Sequence, residues 1–152
     1  YKRQVMGIVA LLSGLVCLVR YRIIESSHFS GKIFLACTLI AAVTALTLYK
    51  QGGFGVGHVL AVLTLLALIF GAISEKRILF GFLSPYFQTI CYTSLFLFHS
   101  IPAITDGLRR LPVGDPVITE FTDPLLLRFY GLFLLVYILV LGAQLIWLKS
   151  RS

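Results

Sequence analysis

Phe96–Pro112, FLFHSIPAITDGLRRLP, ends a membrane-length apolar run and holds a histidine, a proline, an acid and two adjacent arginines. A run of this length is a helix that crosses a bilayer, because about 20 apolar residues at ~1.5 Å each span the hydrocarbon core. Four further apolar segments surround it, so the stretch fixes the fold class: all-α, a polytopic membrane protein, a five-helix transmembrane bundle.

Composition agrees. The chain has 152 residues, 59% hydrophobic and 12% charged, with a mean hydropathy of +0.97. One helical unit over residues 5–149 accounts for nearly all of it, with the lipid bilayer as its main partner. A net charge of +7 raises nucleic acid as a ligand. The basic residues, however, stand singly or in pairs beside apolar runs, which suits headgroup anchors and topology signals rather than a phosphate-tracking patch. Nucleic acid is excluded on that ground. Cys17, Cys37 and Cys91 each lie inside an apolar segment without CxxC spacing. They read as small helix-filling hydrophobes, not as a disulfide framework or a zinc site.

The opening Tyr1–Gln4 lacks an initiator Met and reads as a non-native lead. The first span, Val5–Val19, is then short, the remnant of a longer helix. Arg20–Lys32 is a polar connector, and Ile33–Tyr49 is the second span, with Ala36, Ala41, Ala42 and Ala45 as small contact residues. Gln51–Gly57, QGGFGVG, is glycine-rich but lacks phosphate-loop spacing and follows no strand, so it reads as a turn. The third span, Phe54–Ile73, carries His58 near its start and Ala67/Gly71 at small-xxx-small spacing. Ser74–Arg77 is a charged turn and Ile78–Leu83 an interfacial segment. Ser84-Pro85 opens the fourth span, Pro85–Thr105, as N-cap and first-turn proline. Pro102 removes one of its backbone hydrogen bonds and predicts a kink just after His99. Asp106–Thr122 is the longest polar loop. Asp123-Pro124 opens the fifth span, which Trp147 and Lys149 close as interfacial anchors.

Connector charges set an expected orientation. Arg20, Arg22, Lys32, Lys76, Arg77, Lys149 and Arg151 fall on one side, against Lys50, Arg109 and Arg110 on the other. The positive-inside rule puts the first group, and the C-terminus, in the cytoplasm. His58 and His99 then share the outer leaflet, with Asp106 seven residues past His99 on the same helical face if no kink intervenes.

Neutral imidazole is a common ligand of haem iron and transition metals, and an ionisable group inside a membrane needs a partner. His58 and His99 are therefore candidate cofactor-binding residues, for haem b or a divalent metal, with Asp106 as a further metal ligand. The competing reading makes each histidine interhelical glue, bonded to a hydroxyl or a carbonyl. His28 belongs to the other side and reads as a solvated histidine. Gln88 and Gln144 are expected to bond each other, and Arg109 and Arg110 to pair with Asp115, Glu120 or Asp123. No serine triad, paired intramembrane carboxylates or HExxH helix occurs in the sequence, so a hydrolase has no support. The function classes left are a haem- or metal-binding redox subunit, a small transporter, and an accessory subunit that works with other membrane subunits. A transporter is the weakest, because no span carries a charge at its middle and no repeat is evident.

GIVALLSGLVCLV, HFSGKIF and GGFGVGHVLAVLTLLALIFG, taken in succession, resemble a bacterial family of predicted membrane proteins, domain of unknown function twenty-three-oh-six. The matching positions are Gly7 and Gly14, then His28, Gly31 and Lys32, then Gly52, Gly53 and His58. The likeness covers Gly7–Gly71 and weakens toward Pro112. Phe29 stands where the family often has arginine, and Glu75-Lys76-Arg77 where it often has His-Arg. The resemblance implies a multi-pass protein of the bacterial inner membrane and no particular activity.

Overall fold

A computed structural model describes residues 2–47, 55–76 and 80–151, and only the backbone of 2–4. Among the described residues five α-helices follow one another: α1 (Lys2–Tyr21), α2 (Phe29–Leu46), α3 (Val56–Glu75), α4 (Ser84–Arg110) and α5 (Pro124–Lys149). One 3-10 turn, Gly81–Leu83, precedes α4, and no strand occurs among the described residues. The all-α bundle expected from the apolar runs is the fold.

The helices run up and down. Neighbours in sequence pack together, and α1 also meets α4, closing α1–α4 into a four-helix ring with α5 on the outer side of α4. The α4–α5 contacts confirm the antiparallel sense: Thr93 bonds Gln144, Ser94 bonds Tyr137 and Thr105 bonds Tyr130.

Burial differs from that of a water-soluble bundle. Thr38, Thr64, Ser74, Ser84, Gln88, Thr89, Thr93 and Gln144 are inside, while leucines, isoleucines and valines of every helix face outward. Water would penalise that arrangement, whereas lipid removes the penalty on outward apolar groups and requires polar ones to pair inside. Helices α2, α3 and α5 are each long and apolar enough to cross a membrane, and α1 contributes a shorter apolar helix over Val5–Tyr21. The chain is a helical membrane protein.

Helix α4 is the polar member, and its position explains that. It touches α1, α3 and α5, so its serines, threonines, Gln88 and Tyr92 have helix partners rather than lipid. The helix continues through Pro102 to Arg110, beyond the expected end at Thr105. At 27 residues it is ~40 Å long, enough for the hydrocarbon core and both headgroup layers.

The apolar core gathers Ala10 and Cys17 of α1, Ile24, Phe34 of α2, and Tyr92 and Leu95 of α4. Its close contacts rest on three glycines, of which Gly14 of α1 lies against the Phe34 ring. A Cβ on Gly71 of α3 would meet the ring of Tyr92, and one on Gly31 of α2 would meet the backbone carbonyl of Glu25. The small-xxx-small expectation for Ala67/Gly71 thus has a named partner on α4.

Helix ends depart from the sequence reading in detail. Helix α2 begins at Phe29 rather than Ile33, so Lys32 lies in its first turn. Ser84 makes no cap hydrogen bond; its hydroxyl is buried, and Leu83 takes the N-cap position. Asp123 behaves as expected, its side chain accepting from the Leu125 amide at 2.8 Å. Helix α1 starts at Lys2, inside the stretch set aside as a lead. The glycine-rich turn over 51–54 and the basic residue at 77 lie outside the described residues.

Candidate functional site: a polar mouth around Glu75

Glu75 is the last residue of α3. A carboxylate at a helix C-terminus faces the negative end of the macrodipole, so its position calls for other donors. Three are present. The Ser26 backbone amide and hydroxyl both donate to Oε1, at 2.7 and 2.8 Å, and the Tyr92 hydroxyl donates to Oε2 at 2.9 Å. One side chain thereby joins the α1–α2 connector, α3 and α4.

The connector is held from two more directions. Gln88 Nε2 of α4 donates to the carbonyl of Ile24 at 3.3 Å, and Gln144 Nε2 of α5 donates to that of Arg22 at 2.6 Å. Thr93 in turn donates to Gln144 Oε1 at 2.8 Å. The expected Gln88–Gln144 bond is replaced by a shared task, since both amides clamp the same turn. Arg22 adopts φ +66°, the left-handed conformation that ends α1, and its amide donates back to Leu18. That conformation costs a non-glycine residue roughly 1–2 kcal/mol, and the Gln144 bond helps to hold it.

Beside Glu75 opens a cleft of about 350 Å³ lined by Ile23, Glu25, Ser74, Gln88, Trp147 and Arg151, among others. The Arg151 guanidinium lies over the Trp147 ring, 4.4 Å from its centroid. The Ser74 hydroxyl, on a residue only 1% exposed, makes no hydrogen bond. Glu25 accepts from the Ser27 hydroxyl at 2.9 Å. His28 stacks on Tyr21 with centroids 3.7 Å apart and comes within 4.0 Å of Glu25, so it is more engaged than a solvated histidine.

The three residues singled out in the sequence have other surroundings. His99 lies within α4, its Nε2 hydrogen-bonded to the Thr38 hydroxyl of α2 at 2.9 Å and its ring edge-on to Phe34. This bond crosses the four-helix ring diagonally. His58 sits in the first turn of α3, where its Nδ1 accepts from the Gly55 amide at 3.3 Å. Asp106, half-exposed, pairs with the more exposed Arg110 one turn on at 3.7 Å. These contacts do not converge, and the described residues hold no group of three or more His, Cys, Asp or Glu placed for a metal ion. Arg109 lies over the Phe121 ring at 4.1 Å, so an aromatic face takes the place of the expected acid.

Sequence reasoning passed over Glu75 and Tyr92 because Ser74–Arg77 reads as an ordinary charged turn. The available signal was the acid itself, standing at the end of an apolar helix among basic residues. No family model, no curated protein and no solved structure matches the chain.

Proposed function

We propose that this chain is a ligand-binding accessory protein of the bacterial inner membrane, with its C-terminus in the cytoplasm and the Glu75 mouth as its working surface. The observation that carries the reading is the triple fixation of Glu75 by Ser26 and Tyr92 at the rim of a cleft where α3, α4, α5 and the α1–α2 connector meet. Glu75 lines a cleft of about 350 Å³, a volume within the range of small-molecule sites, which supports a binding role for the held carboxylate.

The orientation is supported by Arg20, Arg22, Lys32, Lys76, Lys149 and Arg151, the described basic residues at the mouth end. Among the described residues the far end holds Lys2, Arg3, Arg109 and Arg110, and Arg128 in α5 belongs with them. The family resemblance remains a proposal resting on its own residues. Two of them, His28 as N-cap and Gly31 against Glu25, shape the start of α2 beside the mouth.

Trp147 is the chain's single tryptophan and lines the cleft, so it serves as an internal reporter. With detergent-purified protein, a bacterial polar-lipid extract or a low-molecular-weight cytosolic extract shifts its emission, and Glu25→Gln diminishes the shift. Constant emission with both extracts would overturn the binding reading. A green fluorescent protein fused to the C-terminus glows, whereas an active alkaline phosphatase at that position would reverse the orientation.

A second reading, haem b or a divalent metal at His58 and His99, is supported by one ionisable ring within a membrane helix. To ligate through Nε2, His99 would have to leave Thr38. Protein purified from haem-replete cells would show a Soret band lost in His99→Ala, and a spectrum without one, together with metal analysis at background, removes this reading.

A further inference from the structure

We propose that the cleft beside Glu75 takes a zwitterion combining an ammonium with a phosphodiester, the chemistry of an ethanolamine phospholipid headgroup. The inference rests on the reading of the mouth as a binding surface and names the class of its ligand.

Charge of both signs lines the cleft. Glu25 and Glu75 lie on its walls with Arg151. The donors that hold Glu75 are neutral, two from Ser26 and one from Tyr92, so they orient its charge without cancelling it. Glu25 accepts from the neutral Ser27 hydroxyl and has the His28 ring nitrogen 4.0 Å away. An ammonium group, with three donors and a compact charge, suits the acceptor capacity left on two carboxylates. A simple cation would leave Arg151 as an opposing charge in the same space, and a simple anion would meet both acids. A molecule bearing both charges satisfies the whole lining.

The second, independent observation is Ser74. Its hydroxyl is buried and unbonded, on a residue that lines the cleft. A helical serine ordinarily returns its hydrogen bond to the preceding turn, as Ser94 and Ser100 do here. Ser74 leaves that option unused, and a phosphate oxygen would accept from it. Gln88 and Thr89 supply further polar edges, while Ile23, Pro85 and Leu148 give the cleft an apolar side.

Location favours a molecule anchored in the bilayer. Trp147 and Arg151 close α5 as an aromatic–cation pair, an arrangement suited to headgroup depth. A glycerophosphoethanolamine free in solution carries the same polar unit, so the source must be separated by experiment.

Protein in detergent is titrated with phosphatidylethanolamine, with phosphatidylglycerol of the same chains, and with glycerophosphoethanolamine. Trp147 emission and native mass spectrometry provide the readouts. The expected result is preferential retention of phosphatidylethanolamine over phosphatidylglycerol by about tenfold, falling to parity in Glu25→Gln and in Arg151→Ala. Glu75→Gln also perturbs the bundle through Ser26 and Tyr92, so these two substitutions at the rim keep the test interpretable. If glycerophosphoethanolamine binds as tightly as the lipid, the zwitterion stands and its source is soluble. Equal retention of both lipids by the wild type, without binding of the soluble diester, overturns the proposal. A Trp147 response to extracts that no zwitterion reproduces also overturns it, while leaving the binding reading intact.

Discussion

The hydroxyl of Tyr92, in the first third of one helix, donates a 2.9 Å hydrogen bond to the carboxylate of Glu75 at the end of the preceding helix, and the same tyrosine ring covers Gly71. Polar fixation and close packing are therefore two properties of one side chain, 1% exposed and at the centre of the core.

Tyr92→Phe keeps the ring over Gly71 and removes only the donor. Hydrogen bonds to charged groups contribute about 1.5–3 kcal/mol, and Glu75 retains its two Ser26 donors. The expected loss is about 1–2 kcal/mol in reversible unfolding from mixed micelles. An unchanged unfolding midpoint would show that the carboxylate is fixed by Ser26 alone.

Gly71→Ala and Gly31→Ala should both destabilise the bundle, the second more. The atom opposing Gly71 belongs to a side-chain ring, which has some room to turn, whereas Gly31 faces the backbone carbonyl of Glu25. Overpacking costs about 1–3 kcal/mol. Gly131→Ala and Gly142→Ala meet nothing within 4 Å and serve as controls, expected to be neutral or stabilising by up to ~1 kcal/mol through helix propensity. Equal effects at all four positions, measured by thermal aggregation in detergent, would contradict the packing assigned here.

Thr38 and His99 are predicted to be coupled. Thr38→Val keeps the shape and removes the hydroxyl from His99 Nε2, and His99→Phe removes the other partner. Interhelical hydrogen bonds in membrane proteins have coupling energies averaging about 0.6 kcal/mol, with a maximum near 1.7. A double-mutant cycle in that range is expected, with the double variant closer to wild type than additivity allows. A coupling of zero would assign His99 a different partner in the bilayer.

Gln144→Leu should loosen the connector without unfolding the helices. It releases the Arg22 carbonyl and leaves the Thr93 hydroxyl without its acceptor. Hydrogen–deuterium exchange over 22–28 should rise several-fold while exchange within α2 and α3 stays slow. Uniform acceleration across the chain would instead mark Gln144 as a global stabiliser.

Helix number and type were legible because apolar runs of membrane length leave few alternatives. Helix α4 was legible for a different reason. Its hydropathy is diluted by Gln88, Tyr92, Thr93 and His99, but the Ser84-Pro85 opening and the sheer length of the run still mark a helix. Boundaries were harder. A basic residue such as Lys32 marks a connector in the sequence, yet its long side chain can extend along a helix toward headgroups, and the helix begins at Phe29. The mouth was not legible, since it depends on Ser26 and Glu75, which lie 49 residues apart, and on the turn of α1 that brings them together. His99 was correctly recognised as needing a partner. That the partner is Thr38 follows from the closed α1–α4 ring, which no local pattern encodes.

The outermost helix raises a problem of alignment that lipid cannot solve. Acyl chains and leucines are equally greasy, so nothing in the hydrophobic effect tells α5 how far to slide along α4. Its three rungs, Thr93–Gln144, Ser94–Tyr137 and Thr105–Tyr130, act like teeth of a key. A displacement of one helical turn, ~5.4 Å, would disengage all of them together. The sparse polar residues of this otherwise oily helix thereby fix where Trp147 and Arg151 come to rest, and with them the shape of the cleft at the far end of its 26 residues.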